Sequence, residues 1–508
     1  MSYLMGIDIG TSSTKAILID EEGNLIGSAI CEYPLYQEKI GWAEQDPEDW
    51  WKATCKVTKE IITKTNAKPS DIKGIGLSGQ MHGAVLLDSK NNVLRHAIIW
   101  CDQRSSKECE EITDLIGKER LIKITANPAL TGFTAAKVMW VKNNEKHVFE
   151  KIKKILLPKD YIRFKLTGEF ATEVSDASGM QFMDIPGRKW SDEVIEKLGF
   201  DKDMFARLYE SPEVTGRITK EASMQTGLKE GTIVVGGAGD QAAGAIGNGI
   251  VKTGIVSSTI GTSGVVFAYS DNVIIDNKGR VHTFCHAVPG KYHVMGVTQG
   301  AGLSLKWFRD NFCSEEKAVA ELLHIDPYEI LNKEASLSKL GSNGLIFLPY
   351  LMGERTPHTD PHARGVFFGI SAKHNKKDML RAIMEGVVFS LMDCLEIIEG
   401  MSIKVTEVRA SGGGAKSELW RQIQSDVFNK NIWVVEGGEG PALGVAILAG
   451  VGAGIYKSVP EGCETVVKAT RTNSPVEENH KKYMEFYKIY RSLYPALKEL
   501  FFEIWRLS

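Results

Sequence analysis

The opening residues alternate between apolar and polar positions, a pattern typical of β-hairpins. Strands are predicted over residues 4–9, 15–20, 72–77 and 84–87, with a further strand after the turn at residues 22–24. A helix is expected to begin after Asp46, because this residue can cap it and Pro47 suits its first turn. The chain therefore starts as an α/β structure.

The second half of the chain shows the same mixture of strands and helices. Strands are predicted over residues 406–411 and 432–435, and helices from residue 417 onward and over residues 442–450. Ser474 and Glu477 form the pattern of a capping box, so a terminal amphipathic helix is expected to start there. Pro495 is expected to kink or end that helix, because proline lacks the N–H that a helix interior uses.

One short sequence recurs nearly half a chain later. Residues 9–12, Ile-Gly-Thr-Ser, are repeated at residues 260–263, each copy within a strand–turn–strand pattern. We therefore predict two related α/β domains that face each other, over residues 1–248 and 249–508. The sequence has no low-complexity linker, so the hinge is expected in the ordinary turns around residues 247–254.

The composition limits the kinds of molecule that the protein is expected to bind. The 508 residues include 61 Lys and Arg against 64 Asp and Glu, a formal net charge of -3, which excludes the broad basic surface of a nucleic-acid-binding protein. The eight cysteines form no CxxC pair, and the chain has no run of about 18 apolar residues that could span a membrane. We therefore expect a cytoplasmic protein with small-molecule partners.

The turn after the first predicted strand carries groups that can bind phosphate. Gly10 leaves backbone N–H groups accessible, the hydroxyl groups that follow it are donors, and Lys15 supplies a cation. Such a turn can cradle phosphate oxygens while Asp8 holds a magnesium ion through water. The alternative is a plain hairpin whose hydroxyl groups satisfy their own backbone.

The second copy of the turn favours phosphate binding, because two such turns can grip one polyphosphate from opposite sides. The candidate phosphate-binding residues are Gly10, Thr11, Ser12, Ser13, Lys15, Gly261, Thr262 and Ser263.

The segment around Asp240 matches a dinucleotide-binding fingerprint only superficially. Gly237, Gly239 and Ala242 fit the loose pattern, but no acidic residue follows about 20 positions later to bind a ribose. A dehydrogenase is therefore rejected. Asp240 itself stands at a predicted helix start, where Asp is commonly an N-cap. The functional alternative for Asp240 is a general base exposed at a cleft.

Two polar segments at the ends of predicted strands suit a polyhydroxylated ligand. The hydroxyl groups of such a ligand need donors and acceptors, while its carbon faces need apolar walls. The segments contain Gln80, Met81 and His82, and Trp100 and Asp102. For His82 taken alone, a buried structural role is the simpler alternative.

The glycines at residues 412–414 precede Ala415 and Lys416 between a predicted strand and a predicted helix. This run differs from a P-loop, because Ala415 stands where the motif requires the glycine before its lysine. A Walker-type nucleotide site is therefore not expected. Three glycines still permit close approach of a flat ligand such as adenine, and a tight structural turn is the alternative.

Taken in order, these motifs resemble the FGGY carbohydrate kinases, within the superfamily of actin, hexokinase and the Hsp70 ATPase. The resemblance covers nearly the whole chain. It is carried by the segments MGIDIGTSSTK, SGQMHG, WCDQR, GGAGDQAAGAIG, STIGTSG, GLIFLPYLMGERTPHTDPHARGVFFGIS, SGGGAKSELWRQIQSDVF and EGPALGVAILAG. It implies an α/β fold of two actin-like, ribonuclease H-like domains around a central cleft.

The resemblance also implies roles for individual residues. Asp240 would be the general base, Asp8 and Asp240 would hold Mg²⁺ largely through water, and ATP would be the phosphoryl donor. The residues beside the nucleotide would be Gly413, Gly414 and Lys416, with Gly302 and Lys306 as further neighbours. The sugar site would contain Gln80, Met81, His82, Trp100, Asp102 and Gln241.

Within the family, the SGQMHG and WCDQR segments are most similar to those of kinases that act on D-xylulose. This similarity implies transfer of the γ-phosphoryl group of ATP to the 5-hydroxyl of D-xylulose, with the two domains closing over the sugar to exclude water. Gln241 departs from the pattern, because many such kinases carry Asn there.

Several alternatives stay open at this point. The substrate could instead be D-ribulose, L-xylulose or gluconate. A different class of function is an actin-like or Hsp70-like ATPase that acts on protein partners. A homodimer is implied by the family resemblance alone.

Overall fold

The computed structural model describes residues 2–507, and most of its strands fall into two seven-stranded sheets. The first sheet contains β1 (Tyr3–Ile9), β2 (Ser13–Asp20), β3 (Leu25–Glu32), β4 (Ile72–Gly79), β5 (Val214–Arg217), β6 (Ile233–Val235) and β7 (Ala238–Gly239). The second contains β8 (Gly254–Ile260), β9 (Gly264–Ser270), β10 (His282–Cys285), β11 (Tyr292–Thr298), β12 (Val405–Ser411), β13 (Asn431–Val435) and β14 (Ala469–Asn473).

Shorter strands form five further pairs outside these sheets. They are Glu44–Gln45 with Ala97–Ile98, Val85–Leu87 with Lys154–Leu156, Ala171–Glu173 with Arg207–Tyr209, Met183–Asp184 with Lys189–Trp190, and Ile346–Leu348 with Val366–Phe368.

The helices cover the sheets and fill the connections between strands. They are α1 (Pro47–Thr65), α2 (Ser106–Ile116), α3 (Lys118–Thr125), α4 (Thr134–Asn144), α5 (Lys146–Phe149), α6 (Pro158–Thr167), α7 (Val174–Ala177), α8 (Asp192–Lys197), α9 (Lys220–Thr226), α10 (Asp240–Gly247), α11 (Ala301–Phe312), α12 (Ser314–Leu323), α13 (Pro327–Ser336), α14 (Lys376–Gly400), α15 (Glu418–Phe428), α16 (Gly440–Gly452), α17 (Val459–Val466) and α18 (Glu477–Leu507). Within residues 2–507, no helix is both long enough and apolar enough to cross a membrane.

The two large sheets share one strand arrangement. In the first, β1, β2 and β3 form an antiparallel meander, while β4 and β6 continue the sheet parallel to β1. In the second, β8, β9 and β11 form the meander, while β12 and β13 run parallel to β8. The predicted fold class, two related α/β units, is confirmed.

The repeated turn occupies the same place in both sheets. Residues 10–12 join β1 to β2, and residues 261–263 join β8 to β9. In the first turn the N–H of Gly10 donates to the carbonyl of Ser13 at 3.0 Å, and in the second the N–H of Gly261 donates to the carbonyl of Ser263 at 3.0 Å. The second turn is therefore one residue tighter than the first.

Helix α16 belongs to the second half of the sequence but packs on the first sheet. A Cβ on Gly6 would lie 1.9 Å from the carbonyl oxygen of Ala442, and a Cβ on Gly76 would lie 1.9 Å from that of Val445. Only glycine permits this close approach of helix and strand. The predicted division at residues 248 and 249 stays a prediction, and α16 shows that the chain after it returns to cover the first sheet.

Side-chain caps hold two helix starts, and the first of them, Asp46, was predicted. The Asp46 carboxylate accepts a hydrogen bond from the N–H of Glu48 at 3.0 Å at the start of α1, and the Ser417 hydroxyl accepts one from the N–H of Trp420 at 3.2 Å at the start of α15. These bonds satisfy backbone donors that the first helical turn leaves free.

The terminal helix differs from the expectations in two respects. Helix α18 runs through Pro495 to Leu507, so the helix does not end at the proline, while the kink that was the other expectation stays a prediction. Its start is held by another helix and not by the proposed capping box, because the Asp426 carboxylate accepts hydrogen bonds from the N–H of Val476 at 2.9 Å and the amide of Asn479 at 3.0 Å. Tertiary contacts therefore replace the local cap.

Candidate active site

Three neighbouring cavities share lining residues. The small cavity, of about 150 Å³, is bounded by His82 and Trp100. The central cavity, of about 640 Å³, lies between α10 and the start of α16, and the outer cavity, of about 660 Å³, lies beside α13. Asp240 and Gln241 line both the small and the central cavity, while Lys416 lines both the central and the outer cavity. The cavities therefore form a continuous row.

Asp240 is the first residue of α10 and directly follows β7, which pairs with the end of β4. The N-cap position belongs to Gly239, so the structure does not give Asp240 the capping role that was the alternative to a general base. Burial raises the pKa of Asp240 to about 7, with a further contribution from the negative charge of Asp8. A carboxylate with such a pKa is suited to accept a proton near neutral pH.

A buried cluster of charged residues fixes the backbone ahead of Asp240. The Lys159 ammonium lies 2.8 Å from the Asp160 carboxylate and 3.4 Å from that of Glu173. Glu173 accepts a hydrogen bond from the Ser175 hydroxyl at 3.0 Å, and that hydroxyl accepts one from the N–H of Gly239 at 3.2 Å. The backbone that positions Asp240 is therefore held by a charge-paired cluster.

The same cluster also holds the start of this segment. The Arg163 guanidinium bonds to the Asp160 carboxylate at 2.6 Å and donates to the carbonyl of Gly236. Residues 236–239 are thus anchored at both ends.

Asp8 on β1 provides a second carboxylate. Burial raises its pKa to about 6. Its Oδ1 atom is buried and accepts no well-directed hydrogen bond from the described residues, and the Ser78 hydroxyl opposite it on β4 and the charge of Lys15 only partly offset the rise in its pKa. A buried carboxylate oxygen without a donor fits a hydrated Mg²⁺ ion, which commonly uses one or two carboxylates together with substrate phosphates.

No cluster of three or more metal-binding side chains occurs in the described part of the chain. Phosphate oxygens and water would therefore supply the remaining ligands of an ion held by Asp8 and Asp240.

His82 forms one wall of the small cavity in a constrained conformation. It adopts a φ of 71°, which is uncommon for residues other than glycine. Its Nδ1 atom lies 2.9 Å from the carbonyl oxygen of Gly179 and so carries the proton. Burial lowers the pKa of His82 well below its usual value. The ring is therefore neutral, and its Nε2 atom is a hydrogen-bond acceptor.

Besides His82, the small cavity is lined by three of the predicted sugar-site residues, Met81, Trp100 and Gln241, and by the predicted base Asp240. It is also lined by several residues that sequence reasoning missed. The residues that were missed are Leu130, Gly132, Phe133, Val265, Met295, Val297 and Arg355. Only Arg355 had a sequence signal, because it stands in the GERTP segment among Gly and Pro residues.

Two predicted sugar-site residues lie outside the small cavity. The Asp102 carboxylate is fully buried and accepts hydrogen bonds from the N–H of Ala43 at 2.7 Å and from the Arg104 guanidinium at 2.7 Å. The Gln80 amide donates to Gln45 at 2.7 Å and to the carbonyl of Gly10 at 3.3 Å. The Asp102 carboxylate and the Gln80 amide nitrogen are therefore bonded to neighbouring loops, whereas the Oε1 atom of Gln80 is buried without a partner among the described residues.

The first of the two repeated turns, residues 10–13, is called here the first phosphate turn, and the second, residues 261–263, the second phosphate turn. The first phosphate turn lies next to these cavities without lining them. Trp100 donates from its indole nitrogen to the Thr11 hydroxyl at 2.9 Å, and the Lys15 ammonium lies 2.6 Å from the carboxylate of Glu439, which lines the central cavity. Ser12 is exposed, and Gly10 and Ser13 are partly exposed. The turn therefore remains accessible to a ligand in the cleft.

The second phosphate turn divides its residues between two cavities. Gly261 and Thr262 line the outer cavity, whereas Ser263 lines the small one. The start of α11 holds this turn, because the N–H of Gly302 donates to the carbonyl of Gly261 at 2.8 Å and that of Leu303 donates to the carbonyl of Thr262 at 3.1 Å.

The outer cavity brings together the residues that were predicted to lie beside a nucleotide. Gly302, Lys306, Gly413, Gly414 and Lys416 all line it. Its lining also includes Asp326, Tyr328, Glu329 and Asn332 at the start of α13, and Trp420 of α15, none of which was predicted to lie there. The α13 residues carry no recognisable motif, whereas Trp420 stands in the SGGGAKSELWRQIQSDVF segment. The volume and mixed lining suit a nucleoside.

Comparison with known proteins gives a consistent result. The family models for the N-terminal and C-terminal domains of the FGGY family of carbohydrate kinases match residues 3–247 and 256–453. The xylulose kinase of Bacillus subtilis is 40% identical over 500 residues, which cover 98% of each chain. The gluconokinase of the same organism is 35% identical over 505 residues, which cover 99% of this chain and 98% of that protein.

A solved structure shows the same fold over the full length. The crystal structure of xylulose kinase from Rhodospirillum rubrum superposes with a TM-score of 0.90 at 28% identity, covering 98% of this chain and 99% of that one.

Proposed function

The chain belongs to the FGGY family of carbohydrate kinases, and we propose that it transfers the γ-phosphoryl group of ATP to the 5-hydroxyl of D-xylulose. The products are D-xylulose 5-phosphate and ADP. Relatives of this length and identity that are named xylulose kinases support this choice of sugar.

The position of Asp240 is the observation that carries the proposal. It lines the small cavity, which has room for a compound of monosaccharide size, and also the central cavity, which leads toward the outer one. A sugar hydroxyl beside Asp240 would therefore face the phosphates of a nucleotide. Asp240 accepts the proton of that hydroxyl as its oxygen attacks the γ-phosphorus.

The walls of the small cavity supply what a sugar needs. The Nε2 atom of His82 accepts a hydrogen bond from a sugar hydroxyl, and the Gln241 amide provides both a donor and an acceptor. Met81 and Trp100 offer apolar surface to the carbon chain.

Positioning and charge neutralisation account for most of the catalysis in phosphoryl transfer. The two Gly-Thr-Ser turns, with Gly10, Thr11, Ser12, Ser13 and Lys15 on one side and Gly261, Thr262 and Ser263 on the other, hold the phosphates. Gly302, Lys306, Gly413, Gly414 and Lys416 hold the nucleoside end. Asp8 and Asp240 would hold a Mg²⁺ ion, which would offset the charge of the phosphates.

Closure of the cleft would keep water from the activated phosphate. We propose that the second sheet moves relative to the first on sugar binding, and that α16, although it belongs to residues 249–508, remains on the first sheet. The packing of α16 against Gly6 and Gly76 supports the fixed position of α16, because backbones in such close contact cannot slide past each other.

The eight cysteines are all free thiols in the described residues. Free thiols are typical of reducing compartments, which supports a cytoplasmic location.

A substrate panel with ATP tests the proposal. ADP formation is measured with D-xylulose, D-ribulose, L-xylulose, gluconate and no sugar. D-Xylulose is expected to give the highest kcat/KM, and the sugar-free reaction is expected to be negligible. A tenfold preference for gluconate would replace the sugar assignment, while rapid sugar-independent ATP hydrolysis would favour an ATPase that acts on protein partners.

A further inference from the structure

Arg355 is a cation of the small cavity to which the proposed reaction gives no role. It lies in the loop between the short strands at residues 346–348 and 366–368 and lines the cavity together with His82 and Asp240. Its Nη2 atom lies 3.7 Å from where a Cβ on Gly132 would stand. The side chain therefore reaches from the second half of the chain to a loop of the first half across the cavity.

The guanidinium of Arg355 is unusual in having no partner. Within the described residues it makes no hydrogen bond, and no carboxylate oxygen lies within 4.0 Å of it. Several other arginines bond to a carboxylate, among them Arg104, Arg163, Arg188, Arg280, Arg381 and Arg409. The neighbouring buried cation, Lys137, is satisfied by the carbonyls of Thr131 at 2.9 Å and Phe133 at 3.2 Å.

Arg355 is partly exposed, so water bonds its guanidinium while the cavity is empty, and a ligand that displaces this water has to supply acceptors in its place. Burial also lowers the pKa of Arg355. A sugar offers several oxygen acceptors, and the planar guanidinium has five N–H donors with which to bind them.

The residues on either side of Arg355 are bonded to the end of β11. The Glu354 carboxylate accepts hydrogen bonds from the Thr298 hydroxyl at 2.6 Å and from the N–H of Gln299 at 3.0 Å. The N–H of Thr356 donates to the carbonyl of Val297 at 3.0 Å, and its hydroxyl accepts from the N–H of Val297 at 3.1 Å. Arg355 is therefore held from both sides against one strand end.

The end of β11 is followed by a helix that contacts the second phosphate turn. Helix α11 begins at Ala301, and its first N–H groups bond to the carbonyls of Gly261 and Thr262. A Cβ on Gly302 would lie 2.3 Å from the carbonyl oxygen of Gly261, so helix and turn are in close contact. Two sets of hydrogen bonds, joined by the backbone of residues 299–302, thus connect the segment around Arg355 with the turn.

We propose that Arg355 binds oxygen atoms of the sugar other than the reacting hydroxyl, and that Glu354 transmits occupancy of the sugar site to the second phosphate turn. This inference rests on the proposed function. Arg355 is a substrate-binding residue in this scheme, and Glu354 is a positioning residue. Binding of D-xylulose then raises the affinity for the nucleotide, and by linkage binding of the nucleotide raises the affinity for D-xylulose by the same factor.

Calorimetric titration separates the two parts of the proposal. The dissociation constant of D-xylulose is measured alone, and that of a non-hydrolysable ATP analogue is measured with and without saturating D-xylulose. In the wild type we expect sugar to tighten nucleotide binding about 5- to 100-fold. Arg355→Gln is expected to weaken D-xylulose binding about 10- to 100-fold, because it removes charged hydrogen bonds.

Glu354→Gln addresses the transmission step. It is expected to leave the dissociation constant of D-xylulose alone within about threefold while bringing the coupling factor close to 1. Thr298→Val removes a single donor to Glu354 and tests the same path should Glu354→Gln fail to fold. Arg364→Gln is the matched control, because this arginine of the same loop bonds only to backbone carbonyls.

The outcomes are distinguishable. Unchanged D-xylulose binding in Arg355→Gln overturns the binding role, and unchanged coupling in both Glu354→Gln and Thr298→Val overturns the transmission role. A wild-type protein that neither binds nor phosphorylates D-xylulose contradicts the proposed function instead.

Discussion

Trp100 donates a hydrogen bond from its indole Nε1 atom to the hydroxyl oxygen of Thr11 at 2.9 Å. This bond ties a wall of the small cavity to the first phosphate turn. Trp100→Phe keeps an aromatic wall but removes the donor. A neutral hydrogen bond contributes about 0.5–1.5 kcal/mol, so kcat/KM for the sugar is expected to fall about 2- to 10-fold in steady-state assays.

A double-mutant cycle provides the control. Thr11→Val removes the acceptor, and the double variant is expected to lose little more activity than either single variant, because both changes break one bond. Fully additive losses would show that the two residues act independently.

Asp240 is the residue on which the chemistry depends. Asp240→Asn preserves size but removes the base, so kcat is expected to fall about 100- to 10,000-fold. D-Xylulose and ATP binding, measured by calorimetry, is expected to change far less. Near-normal turnover of Asp240→Asn would show that Asp240 is not the general base.

Asp8 is expected to control the magnesium requirement. Asp8→Asn removes a charge while preserving shape, so the Mg²⁺ concentration for half-maximal activity should rise and kcat should fall. The titration is compared with that of Asp114→Asn, which alters an exposed carboxylate. Equal magnesium titration curves for the wild type and Asp8→Asn would show that Asp8 has only a structural role.

Buried histidines are expected to make the fold sensitive to acid. His293 is 1% exposed, stacks on Phe267 with 4.2 Å between ring centroids, and has a pKa lowered well below 6.5 by burial. The unfolded state therefore binds more protons than the native state once the pH falls below about 6.5, and stability declines there.

His293→Phe removes this group, so its stability should decline less steeply with acid, by up to about 1.4 kcal/mol per pH unit. Urea denaturation between pH 7 and pH 5 measures the effect. The exposed His147 is the control position, and His147→Gln is expected to follow the wild type. A His293→Phe slope equal to that of the wild type would mean that His293 does not contribute.

Much of the fold was predictable because its signals are local. The alternation of residues 4–9 and 15–20 reflects strands with two distinct faces, and the repeated Ile-Gly-Thr-Ser turn identified two related sheets. Pro495 misled because a helix held by tertiary packing tolerates a proline that a local rule would exclude.

The candidate site was predictable where its residues lie in glycine-rich turns next to strands. Gln80 and Asp102 also follow strands, but the fold uses their polar atoms internally, and only three-dimensional partners such as Ala43 reveal that. Arg355 and the α13 residues were missed because distant segments meet at the cavities, and sequence spacing carries no record of such contacts.

The position of the new phosphate tests the central claim most directly. Purified protein is incubated with ATP, Mg²⁺ and D-xylulose, and the product is examined by phosphorus and proton NMR, with Asp240→Asn in parallel. We predict that the wild type forms ADP and D-xylulose 5-phosphate in equal amounts, and that Asp240→Asn forms them at a rate lower by at least about 100-fold. Phosphate on another carbon, inorganic phosphate as the main product, or equal rates in the two proteins would contradict it.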